Sequence, residues 1–177
     1  MFNLKNFLFN LFRAKEKYGW IGKVYLVKKD IKTGNMIKKV YYNRLMNNAL
    51  DEIIKAFYVN ETDLLYKHVA FGNDNTANND TMENLVNEQY RVPILSKLRT
   101  GTGVVQGTGI VLDEEPAYLS GLLTIKEIGF FTGDDSLNWN DGGGKDTGLM
   151  ISRLVVNESK AANEQINVVR EDEFTRG

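Results

Sequence analysis

The chain has 177 residues, enough for one domain with its own core, and its 42% hydrophobic and 25% charged residues are typical of a globular protein. It has no cysteine and one histidine, His68, which excludes disulfide frameworks, Cys-ligated metal centres and thiol catalysis. The net charge of −1 argues against a nucleic-acid partner held by overall charge. The charge is unevenly distributed, because residues 1–60 carry twelve Lys/Arg and four Asp/Glu, whereas residues 61–177 carry ten and nineteen.

Residues 1–19 are predicted to form an N-terminal amphipathic helix that ends at Gly19. Apolar side chains recur there at the i, i+3, i+4, i+7 spacing of a helix, and asparagines fall on the opposite side. The segment is too short and too polar to span a bilayer, so it folds onto its own domain, docks in a groove of a partner or neighbouring copy, or lies at a membrane surface. The apolar stripe, which holds the candidate docking residues, consists of Phe2, Leu4, Phe7, Leu8, Leu11 and Phe12.

Residues 20–170 are predicted to form the main domain, followed by a C-terminal tail at 171–177. Alternating apolar and polar residues predict a strand from Trp20 to Ile31, a turn at 32–35 and a return strand at 36–42. Helical spacing resumes at 43–57, where Asn43 is a candidate cap, and this helix is expected to pack on the sheet.

The rest of the chain is predicted to be strands and polar loops. Short strands separated by turn signals are typical of an antiparallel sandwich, and strands do not alternate with helical stretches as an α/β fold requires. The predicted fold class is therefore mainly β (α+β), an antiparallel β-sandwich with one packed helix and an N-terminal amphipathic helix. The further strands are predicted at 64–71, 89–98, 103–112, 122–131, 149–156 and 165–169.

No motif in the chain matches a known catalytic or cofactor-binding pattern. The glycines of 101–109 lack the spacing of a phosphate-binding loop and are interpreted as turn glycines around Val104 and Val105. Loop 133–146 is rich in carboxylates but lacks the EF-hand order, and its Trp139 is a candidate glycan or partner contact. We therefore expect no enzyme activity, no catalytic or metal-binding residues and no cofactor.

An ordered set of short motifs runs through residues 43–156. The chain reads HVAFGN at 68–73, then a polar loop, DT at 80–81, and NE at 87–88 followed by Arg91. EIGFF at 127–131 and GLMISR at 148–153 complete the set. This order resembles small tailed-bacteriophage virion proteins of the tail-fibre and baseplate-appendage kind, whose sequences run helix, A-x-G-x-G strand, D-T-x-L-x-N-E-x-x-R, E-I-G-L-F and G-x-L-x-A-R.

This resemblance implies a structural virion protein of a tailed bacteriophage, a tail, baseplate or fibre-attachment component made in the host cytoplasm. It implies other virion proteins as partners and assembly as a homo-oligomer, with no nucleic acid bound and a membrane partner not favoured. The alternative is a carbohydrate-binding module for host adhesion on the capsid or tail surface. The matched residues, expected to form ion pairs inside the fold or interface contacts, are Glu88, Arg91, Glu127, Gly129 and Arg153.

Overall fold

The computed structural model describes residues 18–58, 66–132 and 147–176, and this part of the chain is built from eight strands, one α-helix and a short 3-10 turn. Residues 1–17 of the predicted N-terminal helix lie outside the described residues, whereas Tyr18 and Gly19, which were assigned to the end of that helix, belong to β1. The elements in chain order are β1 Tyr18–Asp30, β2 Met36–Leu45, α1 Asn47–Tyr58, β3 His68–Gly72, β4 Glu88–Gly101, β5 Val104–Val111, the 3-10 turn Ala117–Leu119, β6 Leu123–Phe131, β7 Met150–Lys160 and β8 Glu164–Arg176.

The eight strands form one antiparallel sheet closed into a barrel, in the order β1-β2-β7-β6-β3-β4-β5-β8. The mainly β class with a helix beside the strands is confirmed, but the predicted sandwich of two separate sheets is not. The reason is β8, which hydrogen-bonds to β1 along one side and to β5 along the other and so joins the first hairpin to the later strands. Closure removes the free sheet edges that two layers would leave.

The core lies inside the barrel, because residues two apart on a strand point to the same face. Val24 and Leu26 of β1 face inward, as do Ile166 and Val168 of β8, and each is at most 1% exposed. Phe71 of β3 belongs to the same apolar cluster. In β1 the period of two that predicted the strand is also the period of its buried side chains, whereas all five residues of β3 are buried.

All strands except β5 and β6 extend beyond their predicted bounds, and in β2 and β8 the cause is that neighbouring strands pair with the added residues. Residues 43–45, predicted as the first turn of a helix, belong to β2, where Arg44 and Leu45 pair with β7. Asn43 therefore does not cap the helix, and α1 begins at Asn47. Strand β8 runs through Arg176 and includes most of the residues assigned to a C-terminal tail.

The glycines of 101–109 have two different roles. Gly103, whose φ is +74°, lies in the turn between β4 and β5, as predicted. Gly107 and Gly109 lie inside β5, so their prediction as turn residues is wrong. A Cβ atom on Gly109 would lie 2.5 Å from Val69 Cγ1, so β5 needs a glycine there to approach β3.

The junction between β2 and β7 is held largely by side chains. The two strands pair only at Arg44 and Leu45, and beyond this point Glu158 of β7 accepts hydrogen bonds from Lys39 and Tyr41 of β2. Burial acts to raise the pKa of the Glu158 carboxyl, but the hydrogen bonds and the lysine charges outweigh burial, and the pKa lies below its usual 4.5. The ionised carboxylate therefore stabilises the closed barrel.

Replacing Glu158 with glutamine is expected to flatten the acid dependence of stability. Because the pKa of Glu158 is lowered in the folded state, its contribution is complete above pH 4.5 and disappears as the pH falls through the folded-state value. Urea unfolding from pH 7 to pH 3 should show a stability gap between wild type and Glu158→Gln that is constant near neutrality and narrows in acid. Glu114→Gln, the same change at an exposed site between β5 and β6, is the control and should follow wild type. A gap that stays the same at every pH would contradict the assignment.

Candidate functional site

The first pair of motif-matched residues lies on β4. Arg91 donates from Nε and Nη2 to the two carboxylate oxygens of Glu88, at 2.5 and 2.6 Å, and both side chains are almost fully buried. The remaining nitrogen, Nη1, donates to the carbonyl of Thr147 at 2.7 Å, and the guanidinium lies 4.4 Å from the centre of the Phe131 ring. Arg91 therefore ties β4 to the segment that leads into β7.

The second pair joins β6 to β7 and holds a loop. Arg153 donates from Nε to Glu127 Oε2 at 2.9 Å, and both side chains have no solvent exposure. Its Nη1 donates to the carbonyl of Thr76 and to Asn78 Oδ1, at 2.9 and 2.6 Å. The Glu127 carboxylate accepts the backbone N–H groups of residues 86–87 at 3.1 and 2.9 Å. The two halves of loop 73–87 are thus fastened to one buried ion pair.

These four charged residues, Glu88, Arg91, Glu127 and Arg153, are called the brace below. Two glycines make room for it. A Cβ on Gly72 would lie 2.3 Å from Glu127 Oε1 and 2.7 Å from a backbone oxygen of the loop, and a Cβ on Gly129 would lie 2.9 Å from Leu85. Gly72 of the HVAFG motif and Gly129 of the EIG motif therefore lie where loop 73–87 contacts the barrel wall.

Loop 73–87 also has internal hydrogen bonds. The Asp74 carboxylate accepts the N–H of Thr76 at 2.7 Å, and the hydrogen bonds from Thr76 lower the pKa of the Asp74 carboxyl. The carbonyl of Asp80 accepts the N–H of Asn47, the first residue of α1.

In the parts of the chain that the structure describes, no three His, Asp or Glu side chains meet as metal ligands would. His68 is fully buried in β3, between β4 and β6.

A third buried ion pair lies at the end of the barrel where β1 begins and β8 ends. Arg170 donates from Nε and Nη2 to the two carboxylate oxygens of Asp172, both at 2.7 Å. It also donates to Ser152 Oγ and to the hydroxyl oxygen of Tyr66, and Trp20 Nε1 donates to Asp172 Oδ1 at 3.1 Å. We call these five residues the Arg170 cluster.

Aromatic rings surround the Arg170 guanidinium. It lies 3.9 Å from the centre of the Tyr66 ring, 4.6 Å from Phe130 and 5.7 Å from Trp20. Burial raises the pKa of the Tyr66 phenol, so this hydroxyl stays neutral beside the ion pair. The side chain of Arg170 is held by charge, hydrogen bonds and ring faces together.

The Arg170 cluster was not predicted from the sequence, although the alternation of β8 contains the signal. Ile166 and Val168 are inward positions, and the same period makes Arg170 and Asp172 the next two. An Arg and an Asp two residues apart on the inward face of a strand indicate a buried pair.

An apolar pocket of about 290 Å³ opens at this end of the barrel, and Tyr66 and Asp172 of the Arg170 cluster are part of its wall. Two of its apolar residues are well exposed, Val105 at 49% and Phe174 at 60%. We call this pocket the barrel mouth, which is defined by the apolar residues Trp20, Ala49, Ile53, Ile94, Val105 and Phe174.

The structure brings Glu88 together with Arg91, Glu127 with Arg153, and Gly129 close to the braced loop. Trp139 lies outside the described residues. So do the stripe residues Phe2, Leu4, Phe7, Leu8, Leu11 and Phe12.

Comparison with known proteins gives no family for this chain. No protein-family model, no curated protein and no solved structure matches it. Within the described residues, no helix has the length and apolar character needed to cross a membrane. Function must therefore be argued from the geometry of the barrel and from the motif order.

Proposed function

We propose that this chain is a non-enzymatic structural protein of a tailed-bacteriophage virion, a tail, baseplate or fibre-attachment part that acts through protein–protein contacts. One observation carries the proposal: the charged residues that match the virion-protein pattern are the four residues of the brace. Their side chains bind one another and the backbone of loop 73–87 and the Thr147 region. The motif is thus used to fix the shape of a surface.

A surface whose shape is held by buried ion pairs suits a subunit that functions by binding neighbouring proteins. Removing one partner of such a pair costs about 3–5 kcal/mol, because the other charge stays buried and unpaired. The contacts that hold loop 73–87 in one position on the barrel are therefore costly to break. A surface that keeps its shape loses little conformational entropy when a neighbour binds it.

Exposed apolar side chains on β2 support the same proposal. Met36 and Tyr42 are 70% and 71% exposed, and Ile37 and Val40 are 54% and 45% exposed on the same strand. Single exposed apolar residues are ordinary, but several on one strand are typical of surfaces that meet another protein. In this proposal the partners are other virion proteins and further copies of the chain, the protein belongs to the virion, and no cofactor takes part.

The proposal gives the apolar stripe of residues 1–17 the role of docking element, and particle incorporation tests it. Phe7→Asp/Leu11→Asp places two charges on the stripe, and Asn6→Asp/Asn10→Asp places two charges on the opposite side of the predicted helix. We expect mass spectrometry of purified particles to find the wild-type chain and the asparagine control, and to find the stripe variant at least tenfold depleted.

Two results would contradict parts of this proposal. If the wild-type chain is missing from purified particles, it is not a virion protein. If the stripe variant enters particles as well as the asparagine control does, the chain docks through another surface.

A further inference from the structure

We propose that the apolar stripe of one copy of the chain binds in the barrel mouth of a second copy. This inference rests on the proposed function, in which the stripe docks on a neighbour, and it names the surface that receives it. The two surfaces are inferred independently. The barrel mouth is a pocket in the folded barrel, and the apolar stripe is a pattern in the sequence before β1.

The barrel mouth has the properties of a receptor for apolar side chains. Its volume of about 290 Å³ is at the small end of the range of binding pockets and suits one or two large side chains rather than a whole helix. Val105 and Phe174 leave apolar surface in water at its rim. The ion pair and ring contacts of Arg170 fix the wall below, so the pocket is formed before anything binds.

The N-terminal segment has the matching chemistry. Seven large apolar residues lie within residues 2–12, and four of them have the spacing of one face of the predicted helix. An amphipathic helix that inserts residues at i, i+3, i+4 and i+7 into an apolar groove is a recurrent mode of peptide recognition. Leu4, Phe7, Leu8 and Leu11 have this spacing. Inserting one or two of these side chains would remove them and the apolar rim of the barrel mouth from water.

The start of β1 favours a second copy over the same chain. β1 begins at Tyr18, which pairs with Arg176 at this end of the barrel, and Trp20 already lines the barrel mouth. The sequence predicts a helix before β1, and a rise of about 1.5 Å per residue would place Leu8 about 15 Å along such a helix from Tyr18. In the proposed contact, a stripe at this distance from Tyr18 binds the barrel mouth of a neighbouring copy.

Each copy then offers one stripe and one barrel mouth, which are different surfaces. Such a head-to-tail contact is heterologous and produces rings or open chains, according to the rotation between neighbours.

A mixing experiment with full-length variants tests the contact. Val105→Glu puts a charge in the barrel mouth and leaves the stripe intact, whereas Phe7→Asp/Leu11→Asp damages the stripe and leaves the barrel mouth intact. We expect light-scattering mass measurement to show association of the wild-type chain, a monomer for each variant alone, and a 1:1 heterodimer when the two variants are mixed. The heterodimer should stop growing because its unused stripe and barrel mouth are the damaged ones.

Leu98→Glu is the matched control, because Leu98 is 59% exposed on the neighbouring strand β4 and does not line the barrel mouth. It should associate like wild type. If Val105→Glu lowers the unfolding midpoint more than Leu98→Glu does, Phe174→Glu at the 60% exposed rim replaces it in the same mixture.

Three outcomes would overturn the inference: a monomeric wild-type chain, a barrel-mouth variant that associates like wild type, or a mixture that gives no heterodimer. The particle assay separates this failure from failure of the proposed function. If the stripe variant is lost from particles while Val105→Glu is retained, the chain docks through its stripe on some other surface. If the heterodimer forms but the wild-type chain is missing from particles, the contact exists and the virion assignment is wrong.

Discussion

Replacing Arg153 with methionine is expected to lower the free energy of unfolding by about 3–5 kcal/mol. The substitution leaves the Glu127 carboxylate buried with no solvent exposure and without its cation, and it removes the donors to Thr76 and Asn78. Methionine keeps much of the side-chain volume, so the loss reports charge and hydrogen bonding rather than a cavity. Urea unfolding followed by far-ultraviolet circular dichroism measures it.

The control for Arg153→Met is Lys23→Met, which breaks a more exposed ion pair with Glu171 and Glu173 at 3.4 Å. Water screens exposed pairs, so they contribute little and this variant should stay close to wild type. Glu127→Gln added to Arg153→Met should cost less than the two separate losses together, because neutral glutamine no longer leaves an unpaired charge. Equal losses in Arg153→Met and Lys23→Met would show that the brace does not hold the fold.

Replacing Arg170 with methionine is expected to have an effect of similar size, about 3–5 kcal/mol, for a related reason. Asp172 would keep the donor of Trp20 and lose both donors of the guanidinium, and the faces of Tyr66 and Phe130 would lose their cation. The same unfolding measurement applies. Arg170 lies beside the barrel mouth, so the substitution should also weaken self-association.

Arg170→Lys distinguishes the geometry of the guanidinium from its charge. A lysine ammonium cannot donate two parallel hydrogen bonds to Asp172 and stack flat on Tyr66, so lysine should restore little of the lost stability. Arg99→Met, an exposed position on β4, is the control and should change stability by no more than about 0.5 kcal/mol. Full rescue by lysine would mean that net charge alone holds this end of the barrel.

The period of two predicted the first hairpin, and turn signals between short strands predicted most of the others. Burial alternates along β1, whereas all five residues of β3 are buried. The turn-forming residues at 32–35 predicted the turn of the first hairpin, where the Asp30 carboxylate accepts the N–H groups of residues 32–33. The element boundaries that were wrong lie where a strand is extended by its neighbour. Leu45 continues β2 because β7 pairs with it, and Glu171 continues β8 because β1 and β5 lie on either side. The secondary-structure propensity of a short segment does not indicate which distant strand will pair with it.

The motif order identified the brace residues but not how they pair. Glu88 and Arg91 are close in the sequence, whereas 26 positions separate Glu127 from Arg153. Loop 73–87, which the sequence indicates only as polar and rich in asparagine, is held by backbone contacts to those two side chains. A loop that is ordered by distant charges has no periodic signal of its own.

The sequence by itself determined that this protein is mainly β and has no thiol chemistry, and it predicted an apolar stripe before the first strand. These properties depend on composition and on short-range periodicity, which act along the chain. The tertiary structure alone decided that the strands close into a barrel, that six charged side chains are buried in three ion pairs, and that an apolar pocket opens where the chain enters the barrel. Strand pairing and burial depend on residues that are far apart in the chain, and only the closed fold brings them together.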